Sequence, residues 1–220
     1  MKHHALAACF LIIAGCNVFS ADVAIQPDIL DPELKAALVS PSVTAYSEKP
    51  ALLFDSGKSI SNCSGYIDER AVSVMNEAYF NRIASREYLV CDAVHLLSDA
   101  TFFHSPRAEA SFYTDRLIFD LDLGSFLSSL GPQIQGMDYP VIDNLNHFSV
   151  RSEQYSVILD ADDWNLTFEL VARADFSGDG LEDWLIFFTD EAKAGEYRGY
   201  GLLVLDSALE PGLIAASQQR

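Results

Sequence analysis

Asp175-Phe176-Ser177-Gly178-Asp179-Gly180-Leu181-Glu182-Asp183 carries oxygen-bearing side chains at its first, third, fifth and ninth positions and glycine at its fourth and sixth. A hard cation such as Ca²⁺ gathers several oxygen ligands about one point, and a tightly curled loop supplies them from alternate residues. Asp175, Ser177, Asp179 and Asp183 are the candidate side-chain ligands, and the carbonyl of Leu181 is placed to add a main-chain one. The flanks read as strands. Before the loop, Leu166, Phe168, Leu170, Ala172, Ala174 and Phe176 alternate with Thr167, Glu169, Val171, Arg173 and Asp175 at a period of two. After it, Trp184-Leu185-Ile186-Phe187-Phe188 is continuously apolar, the pattern of a strand covered on both faces. Asp and Gly are also ordinary turn residues, so an acidic turn without metal is the competing reading.

An EF-hand would place a bidentate Glu at the twelfth position between two helices, and here that position is Ile186 between two strands. A strand, a D-x-S-x-D-G-x-x-D loop and a second strand resemble the calcium hairpin of FG-GAP repeats, the type found in integrin α-subunit propellers. The resemblance covers Leu166 to Thr189 and implies Asp175, Ser177, Asp179 and Asp183 as ligands. The family pattern usually carries Asn or Asp where Ser177 stands. Those repeats come in arrays, and no second copy is found. Asp160-Ala161-Asp162-Asp163 lacks the glycines and lies at the far end of the entering strand, about 30 Å away at ~3.3 Å per residue. A propeller is therefore not expected.

The chain opens Met1-Lys2-His3-His4, followed by an apolar run from Ala5 to Ile13, too short to span a bilayer. The run ends Ile13-Ala14-Gly15-Cys16, which resembles the bacterial lipobox. That resemblance implies cleavage before Cys16, lipidation of its sulfur, and a membrane anchor. Asn17 replaces the Asp that retains lipoproteins in the inner membrane of enteric bacteria, so the family rule points to an outer-membrane lipoprotein facing the periplasm. Cleavage after Ser20, giving a soluble periplasmic or secreted protein, is the alternative.

Fourteen basic residues stand against 32 acidic ones, a formal net charge of −18. Such a surface argues against nucleic acid and against electrostatic docking on anionic lipid. Cys9 leaves with the leader and Cys16 is assigned to lipid, so Cys63 and Cys91 form an even pair in an oxidising compartment and are expected to be bonded. His95 follows Cys91 by one helical turn, which leaves a nucleophile pair or two metal ligands as the competing reading.

Asp31-Pro32-Glu33 opens a helix to about Val39, with Asp as N-cap. From Ile67 the spacing Val72, Met75, Tyr79, Ile83 predicts an apolar helical stripe, and a second helix follows over about Arg86–Leu97. Leu117, Phe119, Leu121 and Leu123 alternate with Ile118, Asp120 and Asp122 and predict a strand, as do Tyr155–Leu159 and Gly201–Leu205. Helices first and strands later read as α+β, with N-terminal helices packed on a mainly antiparallel sheet and the calcium loop between two of its strands. The expected organisation is a leader over 1–15, a tether over 16–30 and one domain over 31–220. Its helical part is expected over about 31–100 and its sheet over about 111–210. No G-x-S-x-G, H-E-x-x-H, P-loop or dinucleotide fingerprint is present. The sequence therefore leads to a calcium-stabilised, lipid-anchored envelope protein that binds another protein or a surface polymer. An exported hydrolase with a structural Ca²⁺ is the alternative.

Overall fold

The computed structural model describes residues 24–104, 109–130 and 141–219. The leader, the lipobox and Cys16 lie outside the described residues. Among the described residues no helix is long and apolar enough to cross a membrane.

Two short strands, β1 (Ala24–Ile25) and β2 (Asp28–Ile29), lead into α1 (Pro32–Val39) and α2 (Pro41–Tyr46). The small hairpin β3 (Leu52–Leu53) and β4 (Ser59–Ile60) precedes α3 (Cys63–Arg70) and α4 (Tyr79–Ser85). A single 3₁₀ turn at Arg86–Tyr88 runs into α5 (Leu89–Asp99), followed by β5 (Phe103–His104) and α6 (Ala110–Asp120). Then come β6 (Ser149–Glu153), β7 (Ser156–Asp160), β8 (Trp164–Ala174), β9 (Asp183–Ala192), β10 (Arg198–Leu205) and β11 (Ala216–Gln219). The last six form an antiparallel meander in the order β11-β10-β9-β8-β7-β6, and β2 pairs with β8 to complete a seven-stranded sheet. The fold is α+β, with helices on an antiparallel sheet.

The continuous apolar run of β9 serves two cores. Trp184, Ile186 and Phe188 point into one with Tyr113 and Leu117 of α6, while Leu185 points into the other with Leu34 of α1 and Val90, Ala93 and Leu97 of α5. A strand between two apolar layers has no solvent face to mark with polar residues. The Cys63–Cys91 disulfide lies in the second core and ties α3 to α5, with Cα atoms 5.3 Å apart. The cap of α1 is as expected: Asp31 accepts from the main-chain N–H of Leu34 at 2.6 Å, with Pro32 in the first turn.

Four sequence expectations are corrected. The expected strand through Leu117–Leu123 is the end of helix α6 and the turn after it. Tyr113, Leu117 and Leu121, four apart, are buried together with Thr114, while Phe119 is exposed, and the period-two match is a short coincidence riding on that helical face. The helical stripe Val72-Met75-Tyr79-Ile83 is broken between α3 and α4, and Val72, Tyr79 and Ile83 are exposed. The single apolar face read from Leu166 to Phe176 changes sides. A bulge between Leu170 and Ala172 leaves Leu166, Phe168 and Leu170 in the first core and sends Ala172 and Ala174, with Val171, into the second. Finally, the described part of the segment read as a tether is docked, since Ala24–Ile25 pairs with β5 and Asp28–Ile29 with β8.

Candidate metal-binding hairpin

Residues 175–182 link the longest paired strands of the sheet, β8 and β9, whose ladder ends at Ala174 opposite Asp183. The loop curls because Gly178 and Gly180 both take positive φ, at 84° and 83°, which glycine adopts without a Cβ penalty. Asp175 is its internal cap. Its Oδ1 accepts from the N–H of Gly178 at 2.6 Å and of Asp179 at 3.2 Å, and its Oδ2 from the N–H of Gly180 at 2.9 Å and the Thr101 hydroxyl at 2.9 Å. Burial pushes the Asp175 carboxyl up, but the N–H of Gly180, the Thr101 hydroxyl and the other loop amides outweigh it and hold the group below the usual carboxylate range.

Asp183 closes the loop from the other side. Its Oδ2 accepts from the N–H of Phe176 at 2.9 Å and of Ser177 at 3.0 Å, and its Oδ1 from the N–H of Ser207 at 2.7 Å. Ser207 belongs to the turn after β10, so the hairpin is stapled to the next connection of the sheet. Asp179 stands on the exposed side, accepting from the Leu181 N–H at 2.8 Å and from the Ser207 hydroxyl at 3.4 Å. Asp206, beside Ser207, has its carboxyl pushed up by burial and then by the negative charges of Asp183 and Asp179.

Three of the sequence-predicted residues, Asp175, Asp179 and Asp183, thus lie in or at the end of one loop, with Ser177 and Leu181 exposed on it. Ser177 lies 3.4 Å from Asp175 through its hydroxyl. Among the described residues none of Asp175, Asp179, Asp183 or Asp206 pairs with Lys, Arg or His. Among the described residues no three His, Cys, Asp or Glu side chains stand together as a ligand shell. Asp175 and much of Asp183 are taken by main-chain N–H groups, and Asp179 turns its oxygens to its own loop and to Ser207. A carboxylate has about four acceptor sites. Among the described residues Asp183 accepts three bonds and Asp179 two, which leaves acceptor sites on both, and every candidate ligand atom is oxygen, as a hard cation requires.

No protein-family model, curated protein or solved structure matches the chain.

Beneath the hairpin lies a buried polar network that sequence reasoning did not single out. Arg173, the last but one residue of β8, reaches Asp28 of β2 and the Tyr113 hydroxyl of α6, and lies 3.5 Å from Glu182. Glu182 also accepts from the Trp184 indole N–H at 2.8 Å. Burial opposes the Arg173 charge, but the Asp28 hydrogen bond and the Glu182 carboxylate more than restore it. Thr101, Asp206 and Ser207 were likewise missed. Each becomes a neighbour of the loop through strand pairing, and none carries a local motif.

The described histidines do not assemble. His95 lines a cavity of about 300 Å³ with Ser64, Asp68 and the disulfide. His147 lines a different one with Ser149, Asp160 and Lys193, and His104 lies in β5, its N–H donating to the Gly180 carbonyl.

Proposed function

We propose that the protein is an exported, lipid-anchored envelope protein whose Asp175–Asp183 hairpin takes Ca²⁺, and whose role is binding rather than catalysis. The observation that carries the metal reading is the concentration of Asp175, Asp179, Asp183 and Asp206 at one end of the sheet with no basic partner among the described residues. Like charges gathered in one partly desolvated place repel one another, and a divalent cation converts that repulsion into attraction. Asp179, Asp183, Ser177 and the Leu181 carbonyl would hold the ion, with Asp175 shaping the loop from beneath. The ion supplies charge neutralisation and a fixed hairpin.

Support for export comes from the Ile13-Ala14-Gly15-Cys16 motif and from the Cys63–Cys91 disulfide, which fits an oxidising compartment. The lipid would place the domain on a membrane, with an envelope protein or surface polymer as its partner. Two measurements test the proposal. Calorimetric titration of the purified protein with CaCl₂ is expected to give one saturable site, absent in Asp179→Ala. Intact mass of the protein from native membranes is expected to show a diacylglyceryl-type addition on Cys16. A titration with no saturable heat removes the calcium reading, and an unmodified Cys16 removes the anchor.

A further inference from the structure

At the opposite end of β9 from the metal hairpin, a cavity of about 600 Å³ opens where the sheet edge changes partners. Pairing of β10 with β11 spans Leu202–Leu205, so among the described residues Arg198–Gly201 is paired on the β9 side alone. The cavity walls include Glu77, Ser128, Phe188, Tyr197, Tyr200 and Gln218.

Gly199 lines the cavity, and Gly201 lies two residues further along β10. A Cβ on Gly199 would come within 3.1 Å of the Tyr197 hydroxyl, and one on Gly201 within 3.1 Å of the Gln218 amide nitrogen. Side chains there would displace the two groups best placed to meet a ligand. Asp190, on the wall, is buried and has its acceptor sites filled. Trp164 Nε1 donates at 2.6 Å, the Ser129 N–H and hydroxyl at 2.7 Å each, and the Tyr197 hydroxyl at 3.3 Å. A carboxylate so saturated is not a counter-ion for a ligand. It positions Tyr197, whose ring packs on that of Trp164 with centroids 5.3 Å apart. Tyr200 is held in the same way from the other side of the strand, its hydroxyl donating to Glu191 at 2.5 Å.

The chemistry left facing the cavity is specific in kind. It consists of aromatic rings, the apolar side chains of Met75 and Leu127, an amide that both donates and accepts, a serine hydroxyl and one exposed carboxylate. Among the described residues no Lys, Arg or His lines it; Arg82 of α4 acts on Tyr197 without lining the cavity. Phosphates and carboxylates therefore lack a partner. A sugar ring matches both halves of the wall, since it has an apolar C–H face for an aromatic ring and hydroxyls that need donors and acceptors together. The volume lies within the range of small-molecule sites, about 300–1,000 Å³. We propose that this cavity binds a neutral oligosaccharide, with Tyr197 as the aromatic platform, Gln218 and Glu77 on the hydroxyls, and Asp190 as a positioning residue. The site is remote in the sheet from the metal hairpin and stands independently of the calcium reading.

The test uses the purified protein with three neutral probes, maltotetraose, cellotetraose and tetra-N-acetylchitotetraose, and with spermine as a cationic one. Trp164 beside Tyr197 gives a fluorescence readout, and calorimetry a second. At least one tetrasaccharide is expected to bind with a dissociation constant below about 1 mM. Tyr197→Ala and Gln218→Ala are each expected to weaken it at least about tenfold, with unfolding midpoints that show the variants folded. Gly201→Ala, which crowds Gln218, is expected to weaken it as well. Failure of all three sugars to bind at about 10 mM, binding of spermine in their place, or sugar binding unchanged in both Tyr197→Ala and Gln218→Ala would overturn the proposal.

Discussion

Replacing Arg173 by methionine is the perturbation whose cost the structure specifies best. Arg173 and Glu182 are both buried, with side-chain exposures of 7% and 0%, and face each other at 3.5 Å. Methionine keeps the length and apolar stem but removes the charge, leaving Glu182 with the Trp184 indole as its remaining partner and Asp28 with none from β8. Breaking a buried pair from one side costs about 3–5 kcal/mol, because the surviving charge stays desolvated. For a chain of this size that lowers the thermal midpoint by roughly 6–20 °C, at ~2–4 °C per kcal/mol. The assay is urea unfolding, read as a shift in midpoint at constant slope. Adding Glu182→Gln to Arg173→Met removes the orphaned charge, so the double variant is expected to recover at least about 1 kcal/mol over the single one. A single variant within about 1 kcal/mol of the parent, or a double variant with no recovery, would refute the network as a stabilising pair.

Three further outcomes follow from the geometry. Replacing Cys63 and Cys91 by serine opens a crosslink spanning 28 residues and is expected to cost about 3–4 kcal/mol, checked by urea unfolding with and without reductant. Gly180→Ala meets no atom of the described residues within 4 Å, so its cost is that of the backbone at φ 83°, about 1–2 kcal/mol on the same assay. Asp175 is held below its ordinary carboxyl range, so it contributes stability that is full above the unfolded value and lost as pH falls through the folded one. Asp175→Asn is therefore expected to be less stable at neutral pH and to lose less than the parent below about pH 4, the unfolded Asp range, as read by midpoints across a pH series.

Strands and caps with strong local signals were legible before the structure. The apolar run of β9, the alternation of β7 and the first half of β8, the Asp31 cap and the Cys63–Cys91 pair all stand as read. The bulge at Val171 was not legible, because inserting one residue flips Ala172 and Ala174 to the other face without altering composition. Helix α6 reads as a strand from sequence because the seven residues from Leu117 to Leu123 satisfy both periods, and the residues that decide, Tyr113 and Thr114, lie upstream. In the hairpin, the glycine positions and the Asp spacing announced a curled acidic loop. Its staples to Thr101 and Ser207 depend on which strands become neighbours, and that is decided by tertiary packing. The Tyr197–Asp190–Trp164 cluster is dispersed in the same sense: three residues on β8, β9 and the connection before β10, with no spacing that marks them as one unit.

Thermal unfolding of the purified protein in excess Ca²⁺ and in EGTA, beside Asp179→Ala, tests the central claim most directly. A ligand bound only by the native state stabilises it by about 2.7 kcal/mol at a hundred times its dissociation constant. The parent is expected to melt higher in Ca²⁺ than in EGTA. In EGTA, Asp179→Ala is expected to match or exceed the parent, since it removes a charge that repels Asp206, and to gain nothing from Ca²⁺. Equal midpoints for the parent in Ca²⁺ and EGTA, or an undiminished Ca²⁺ shift in Asp179→Ala, would contradict the account and leave Asp175–Asp183 a hydrogen-bonded acidic turn.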